Sequence, residues 1–329
     1  MKVCIIGSTG HTAYVLKGLK ELPEVELAGI APGSSAEDVE PLLRSAEAYG
    51  WMPAQFASYT DMLDQLKPDI AAVACGFHDH AAVAMQAMRR GIHVFVEKPL
   101  ALTLEDLEQV KAIHRQSGVH LAAMFGMRYM SCFLTAKQLI GEGVIGDVRL
   151  MTAQKSYRLG ERSELYRSRA TYGGTIPWVG SHAIDWLYWL SGESFHSVYA
   201  SHSCRANNGH RELEASALCH FTFSNEVFGS VSIDYLRPRQ APSHSDDRIR
   251  IAGSEGVLEV REQKVLLMRN GLEGVHEMPL LAEGQSFVDF VRQVRGEAAC
   301  LVSAADSFAV TEAALKARQS ADEGRIVYF

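Results

Sequence analysis

The chain has 329 residues, which suggests about two domains at roughly 150 residues each. Hydrophobic residues make up 47% and charged residues 22%, ordinary values for a soluble globular protein with ample material for a core. A net charge of −7 argues against non-specific binding to nucleic acid or anionic membrane, since both need a basic surface.

In chain order, the first ~120 residues alternate short apolar strands with helical patterns. Strands are expected at Val3 to Ile6, Val25 to Ala31, Ile70 to Ala74, Ile92 to Val96 and Leu121 to Phe125. Helices are expected at Ala13 to Leu22, Ala36 to Tyr49, Tyr59 to Leu66, Ala81 to Arg90 and from Thr103, where Asp106 completes a capping-box-like start. Strands alternating with helices imply a parallel sheet with right-handed crossovers. After Met127 the pattern changes. A helix through Ala136 to Ile140 is followed by β-like stretches at Val148 to Tyr157, Ala215 to Phe223, Val227 to Tyr235, Arg248 to Ile251, Val257 to Val260 and Val265 to Met268. Many alternate apolar and polar residues, as a sheet covered on one face does. Helical patterns lie at Ile184 to Leu190, Ser286 to Val294 and Ala304 to Ala321, and Arg237 to Asp247 reads as a mobile loop. The expected fold is α/β. A Rossmann-type doubly wound parallel sheet occupies residues 1–122, and an α+β domain with a largely antiparallel open sheet occupies residues 123–329.

Six scattered cysteines form no C-x-x-C pair and suggest a reducing compartment. The first strand begins almost at Met1, which leaves no room for a signal peptide, and no apolar run reaches membrane-spanning length, so a cytoplasmic location is expected. No histidine–carboxylate set has zinc spacing, so no metal is expected.

Gly7-Ser8-Thr9-Gly10-His11-Thr12 follows the first strand and opens the first helix, the correct context for a dinucleotide-binding turn. The helix start would offer N–H groups and a positive dipole end to a pyrophosphate. Thr9 and Thr12 stand at the second and third glycine positions of G-x-G-x-x-G, and the Thr9 side chain would either crowd the pyrophosphate or donate to it. The acid expected ~20 residues on, to bind the ribose 2′-hydroxyl, is missing from Pro32-Gly33-Ser34-Ser35. Glu37 and Asp38 are near, but equally suit a first helical turn. NAD and NADP therefore stay open, with a lean to NADP and Ser34 and Ser35 as donors. The segment Val94-Phe95-Val96-Glu97-Lys98-Pro99-Leu100 runs an apolar strand into a charged turn. A lysine at the carboxyl end of a buried parallel strand sits where open α/β sheets bind ligands, and it can serve in acid/base chemistry.

Four ordered motifs carry a resemblance. They are Ala74-Cys75-Gly76-Phe77-His78-Asp79-His80, Gly91 to Ala101 with its Glu97-Lys98-Pro99, Gly143 to Val148, and Gly173-Gly174 with Gly180-Ser181-His182-Ala183-Ile184-Asp185. On these the chain resembles the Gfo/Idh/MocA oxidoreductases over nearly its whole length. The resemblance implies a Rossmann domain, a second domain whose sheet forms a homodimer or homotetramer interface, and Lys98 as catalytic lysine with His182 assisting. It also implies Glu97 near the nicotinamide ribose and Cys75, Gly76 and His80 near the cofactor. Trp178 stands where the family carries an aspartate four residues before the histidine, which puts the usual proton relay in doubt. Arg158, Arg169, Tyr172, Trp178 and Asp185 are the substrate-side candidates, with Asp185 able to orient the imidazole or to occupy a first helical turn. The expected function is hydride transfer between nicotinamide and a sugar, cyclitol or related polyhydroxy compound. The alternatives are a non-catalytic nucleotide sensor and a transient oxidation during elimination.

Overall fold

The computed structural model describes residues 1–34 and 37–329. Its residues gather into two compact units, neither a single stretch of chain. The first takes in Met1–Gly126, Ala170–Gly173 and Gln285–Thr311, and the second Met127–Arg169, Gly174–Gly284 and Glu312–Phe329.

The first unit is built on a six-stranded parallel sheet. Its elements are β1 (Lys2–Ile6), α1 (Thr12–Lys20), β2 (Glu26–Ala31), α2 (Glu40–Ala48), β3 (Ala54–Gln55), α3 (Tyr59–Leu66), β4 (Ile70–Val73), α4 (His80–Met88), β5 (His93–Val96), α5 (Leu104–Ser117) and β6 (Leu121–Ala123). The strand order β3-β2-β1-β4-β5-β6 is that of a doubly wound fold, with its switch between β1 and β4. Strand β4 is buried at every residue, as expected where helices cover both faces of a parallel sheet. Local chemistry sets the helix ends. Thr103 caps α5 by accepting the Asp106 N–H at 3.0 Å, and Gly118 ends it in the left-handed region at φ 67°. Phe95 on β5 packs against Phe287 and Phe290 of the helix Ser286–Val294, at centroid distances of 5.4 Å. Helix α2 begins at Glu40 rather than at Ala36, which lies outside the described residues together with Ser35.

The second unit carries α6 (Ser131–Gly141), β7 (Val148–Tyr157), a helical turn α7 (Arg169–Tyr172) that leads out of it, α8 (Ser181–Ser191), β8 (Phe195–Ser203), β9 (Ser216–Phe223), β10 (Phe228–Asp234), β11 (Ser245–Gly253), β12 (Gly256–Arg261), β13 (Lys264–Arg269), β14 (Leu272–Glu277) and β15 (Val327–Tyr328). The nine strands run β14-β13-β12-β11-β7-β10-β9-β8-β15. Only the β7–β10 pair is parallel, with Val231 opposite Ala153. Helix α8 packs on β7 and β10, and α6 on β12 and β13. Phe133 of α6 stacks on Trp186 of α8 at 4.5 Å. The other face of the sheet leaves Leu150, Tyr199, Leu218 and Phe228 exposed. The segment read as a mobile loop is shorter than expected: Ser245 to Asp247 pair with Tyr157 to Lys155 and belong to β11.

Candidate functional site

The loops at the carboxyl edge of the parallel sheet bring the turn Gly7 to Thr12 against the ends of β2, β4 and β5. Gly7 has φ 91°, and a Cβ there would lie 2.3 Å from the Cys75 Cα, so neither its conformation nor its surroundings admit a side chain. The Gly7 N–H donates to Ala31 O at 2.8 Å and the Thr9 N–H to Ala74 O at 2.7 Å, which pins the turn between two strands. The Ser8 and His11 N–H groups donate to the carboxylates of Glu37 and Glu97 at 2.9 and 2.8 Å. Among the described residues, the N–H groups of Gly10, Thr12 and Ala13 meet no acceptor. These amides at the start of α1 fit the pyrophosphate of a dinucleotide.

Glu97 and Lys98 follow β5 and are nearly inaccessible, at 1% and 3% exposure. The Glu97 carboxylate accepts the His11 N–H, contacts His11 Nδ1 at 2.8 Å, accepts the Lys98 N–H at 3.1 Å and lies 4.0 Å from Lys98 Nζ. Burial works to raise the Glu97 pKa, but the His11 imidazole and the Lys98 ammonium outweigh it and hold the carboxyl at about 2. Gly10 leaves the room this needs, since a Cβ there would come within 2.9 Å of the Glu97 carboxyl. Glu97 therefore ties the phosphate turn to the lysine. The Lys98–Pro99 peptide is cis.

His80 differs from expectation. It is fully buried, with Nδ1 2.8 Å from Pro99 O and Nε2 3.0 Å from Cys75 O. A neutral imidazole donates to only one of them. Burial pushes its pKa down, and the two carbonyls and Glu97 oppose this less strongly. With both nitrogens engaged, the ring braces the Lys98–Pro99 turn instead of touching a cofactor. Cys75 is likewise buried, and its thiol faces Gly33. Gly76 donates its N–H to Ser34 Oγ at 2.9 Å.

A carboxylate reaches the end of β2 from a little further along the chain. Glu37 folds back so that Oε1 accepts the Ser8 N–H and the Thr9 hydroxyl at 2.9 and 3.0 Å, and Oε2 accepts the Gly33 and Ser34 N–H groups at 3.0 and 3.2 Å. The Thr9 hydroxyl is thus spent on Glu37, not on a pyrophosphate. Ser34 spends its N–H on Glu37, while its Oγ accepts the Gly76 N–H and keeps the hydroxyl hydrogen to donate. Ser35 lies outside the described residues.

In the second unit, a wide helical turn at Ile176–Gly180 precedes α8 and carries Trp178, and α8 carries His182 and Asp185. His182 is 4% exposed. Asp185 is the counter-ion of Arg128: Nε lies 3.0 and 3.1 Å from its two oxygens, Nη2 lies 2.5 Å from Oδ1, and both residues are 1% exposed. The sequence offered no sign of that partner, 57 positions away. Trp178 lies against Tyr166 at 4.3 Å with the rings tilted by 38°, it stacks with Tyr235 at 6.2 Å, and the Arg162 guanidinium lies over all three rings at 5.2 to 5.9 Å. Arg158 donates to Ala241 O. Arg169, one of the substrate-side candidates, is committed elsewhere: Nε donates to Glu214 and Nη1 to Asp322, both at 2.6 Å. Tyr172, in the first unit, is fully buried. Lys155 escaped sequence reading. It shares the inward face of β7 with Met151 and Ala153, is fully buried, and pairs with Asp247 at 2.7 Å. Its period-two spacing from those two apolar residues was the available signal. Asp247 lines a cavity of about 550 Å³ together with Met130, Phe133, Arg237, Ser243 and Asp246. Among the described residues, no group of three or more His, Cys, Asp or Glu side chains could hold a metal ion, and no helix is long and apolar enough to cross a membrane.

Residues 1–125 match the oxidoreductase family with an NAD-binding Rossmann fold, and residues 133–259 match the GFO/IDH/MocA C-terminal domain. A Thermotoga maritima protein of solved structure, provisionally described as an oxidoreductase, is 49% identical over 100% of both chains with a TM-score of 0.96. Inositol 2-dehydrogenase of Salmonella typhimurium is 27% identical over 153 residues, 46% of this chain and 44% of that protein. Matches to the first curated relatives span about a third to under a half of those proteins' length. Levoglucosan dehydrogenase, solved with NADH and levoglucosan, shares the fold at a TM-score of 0.85, with 19% identity over 100% of this chain and 99% of that one.

Proposed function

This chain belongs to the GFO/IDH/MocA oxidoreductase family, whose Rossmann domain binds NAD, and from that premise we propose that it is an NAD(P)-dependent dehydrogenase or reductase of a sugar, cyclitol or related polyhydroxy compound. The observation that carries the reading is the buried Glu97–Lys98 pair, fastened through His11 to the turn that opens α1. The relatives named for inositol and levoglucosan support the substrate class. A nicotinamide, when bound, supplies or takes the hydride. The amides of Gly10, Thr12 and Ala13 hold the pyrophosphate, and Glu97 fixes the turn. Lys98 moves the proton of the reacting hydroxyl.

His182 is proposed as a second proton-handling group. Trp178 is proposed to replace the family's aspartate there and to act as an aromatic wall. In the proposed division of labour, residues 1–122 bind the dinucleotide and residues 123–329 bind substrate and assemble the oligomer. The exposed Leu150, Tyr199, Leu218 and Phe228 on one sheet face support a homodimer or homotetramer. The test is calorimetric titration with NADH and NADPH, followed by nicotinamide absorbance across a panel of sugars and polyols. Binding of one nucleotide with turnover of a panel member is expected. Binding of neither overturns the reading, and binding without any turnover replaces it with a sensor.

A further inference from the structure

The part of the second unit that carries Trp178 holds two guanidinium groups with more donors than acceptors. Arg158 follows β7, where its N–H donates to His244 O at 3.0 Å and it bridges Leu236 beyond β10. Arg162 lies four residues on, its N–H donating to His210 Nε2 at 3.2 Å. Both backbones are therefore fixed. Each guanidinium carries five N–H donors. Arg158 donates from Nη2 to Ala241 O, and Arg162 from Nη2 to Arg158 O at 3.2 Å. Both Nε atoms are buried and meet no acceptor among the described residues. Buried donors of this kind call for a partner.

The surrounding chain does not supply one. Asp234 is taken by Ser156 Oγ, Asp246 by Arg237 and Arg248, Asp247 by Lys155, and Glu164 by Arg167. Glu161 is exposed. The rings of Tyr166, Trp178 and Tyr235 attract the charge of Arg162 without replacing a carboxylate as acceptor of its N–H groups. His244 stacks on Tyr157 at 5.2 Å and adds no counter-charge: burial, then Arg162 and Arg158, push its pKa down from 6.5, and Asp247 opposes this less strongly. Tyr157, Arg158, Arg162, Tyr166 and Trp178 are half-buried, so a solute can reach them.

We propose that Arg158 and Arg162 bind a carboxylate of the substrate, which makes the polyhydroxy compound a sugar acid. The inference rests on the dehydrogenase reading above and narrows its substrate class. A guanidinium presents its N–H groups in a planar fork that matches a carboxylate, and the aromatic wall beside it suits the apolar face of a sugar ring or chain. Trp178 thereby gains a role: it holds Arg162 beside the helix that carries His182.

Calorimetry on the full-length protein, with and without NADH, reads the binding of three matched pairs: glucose with glucuronate, galactose with galacturonate, and glucitol with gluconate. Glucose 6-phosphate is the phosphate control, and nicotinamide absorbance reads turnover of the same compounds. In at least one pair the acid is expected to bind at least about thirtyfold more tightly than its neutral partner, with the preference falling as salt rises. Arg158→Gln and Arg162→Gln should each cut that preference about tenfold. Acids bound no better than their neutral partners in all three pairs, or a preference that survives both variants, overturns the carboxylate site. Tighter binding of glucose 6-phosphate than of glucuronate overturns it in favour of a phosphate. The wild-type preference needs no variant to fold. Turnover of neutral compounds without any preference for acids overturns the carboxylate site alone. Preferred binding of an acid with no turnover of any compound overturns the dehydrogenase reading and leaves the site standing.

Discussion

The carboxyl edge of the six-stranded sheet and the α8 side of the nine-stranded sheet use their buried and half-buried charges differently. At the first, two carboxylates, Glu37 and Glu97, are satisfied largely by backbone N–H groups of neighbouring turns. At the second, charges answer side chains: Arg128 with Asp185, Lys155 with Asp247, and Arg162 against three aromatic rings. Backbone donors are fixed by the turn itself, so the first region is preorganised by its conformation. Side-chain pairs hold only while both partners are present, so the second region is far more sensitive to removal of one of them.

That contrast orders the expected effects. Asp185→Asn leaves the Arg128 guanidinium buried against a neutral partner, and should cost about 3–4 kcal/mol, a fall in Tm on the order of 10 °C by calorimetry. The double change Arg128→Met with Asp185→Leu should recover most of that loss. If the double variant is no more stable than the single one, the pair is not what the second region depends on. Glu97→Gln keeps an oxygen for the His11 N–H but removes the charge beside Lys98, and should cost about 2 kcal/mol. Thr9→Val removes one hydroxyl donor to Glu37 while three N–H groups remain, and should cost less than about 1 kcal/mol. An ordering with Thr9→Val at the top would break the comparison.

The pH dependence sharpens it. Glu97 has its folded pKa lowered from 4.5 to about 2, so its contribution is complete above about 4.5 and is lost as pH falls from there toward 2. His80 is lowered by burial from 6.5, so its contribution is complete above 6.5 and declines on acidification below that value. Urea unfolding of the wild type should therefore lose stability below pH 6.5, where His80 acts together with His93, His114, His202 and His244, and again below about 4.5, where Glu97 acts together with carboxylates such as Asp246. Glu97→Gln should shrink the lower loss and leave the upper one, and a lower loss of unchanged size in that variant would remove Glu97 from the account.

The contrast also explains what could be read from sequence. Parallel strands such as Ile70–Val73 are continuous apolar runs, and the turn at Gly7 and the lysine at 98 sit at strand ends that the pattern locates. Strands β8, β14 and β15 were missed: β8 is rich in Ser and His, β14 is exposed throughout, and β15 has two residues. Ala54–Gln55 escaped for the same reason as the last of these. Glu37 was visible but suited a first helical turn equally well, because only the folded loop carries it back to Ser8. Arg169 was misjudged because its partners lie 45 and 153 positions away. Side-chain pairs of that separation leave no local periodicity, whereas turns that use their own backbone leave a motif.

The central claim is that Lys98 handles the proton while the turn from Gly7 to Thr12 holds the nucleotide. It is tested most directly by comparing NADH affinity with turnover in Lys98→Ala, using whichever polyol the wild type oxidises. The account predicts NADH binding within about threefold of wild type and turnover reduced by about a thousandfold, in the range expected for loss of a general acid–base group. Turnover within a few-fold of wild type in that variant would contradict it.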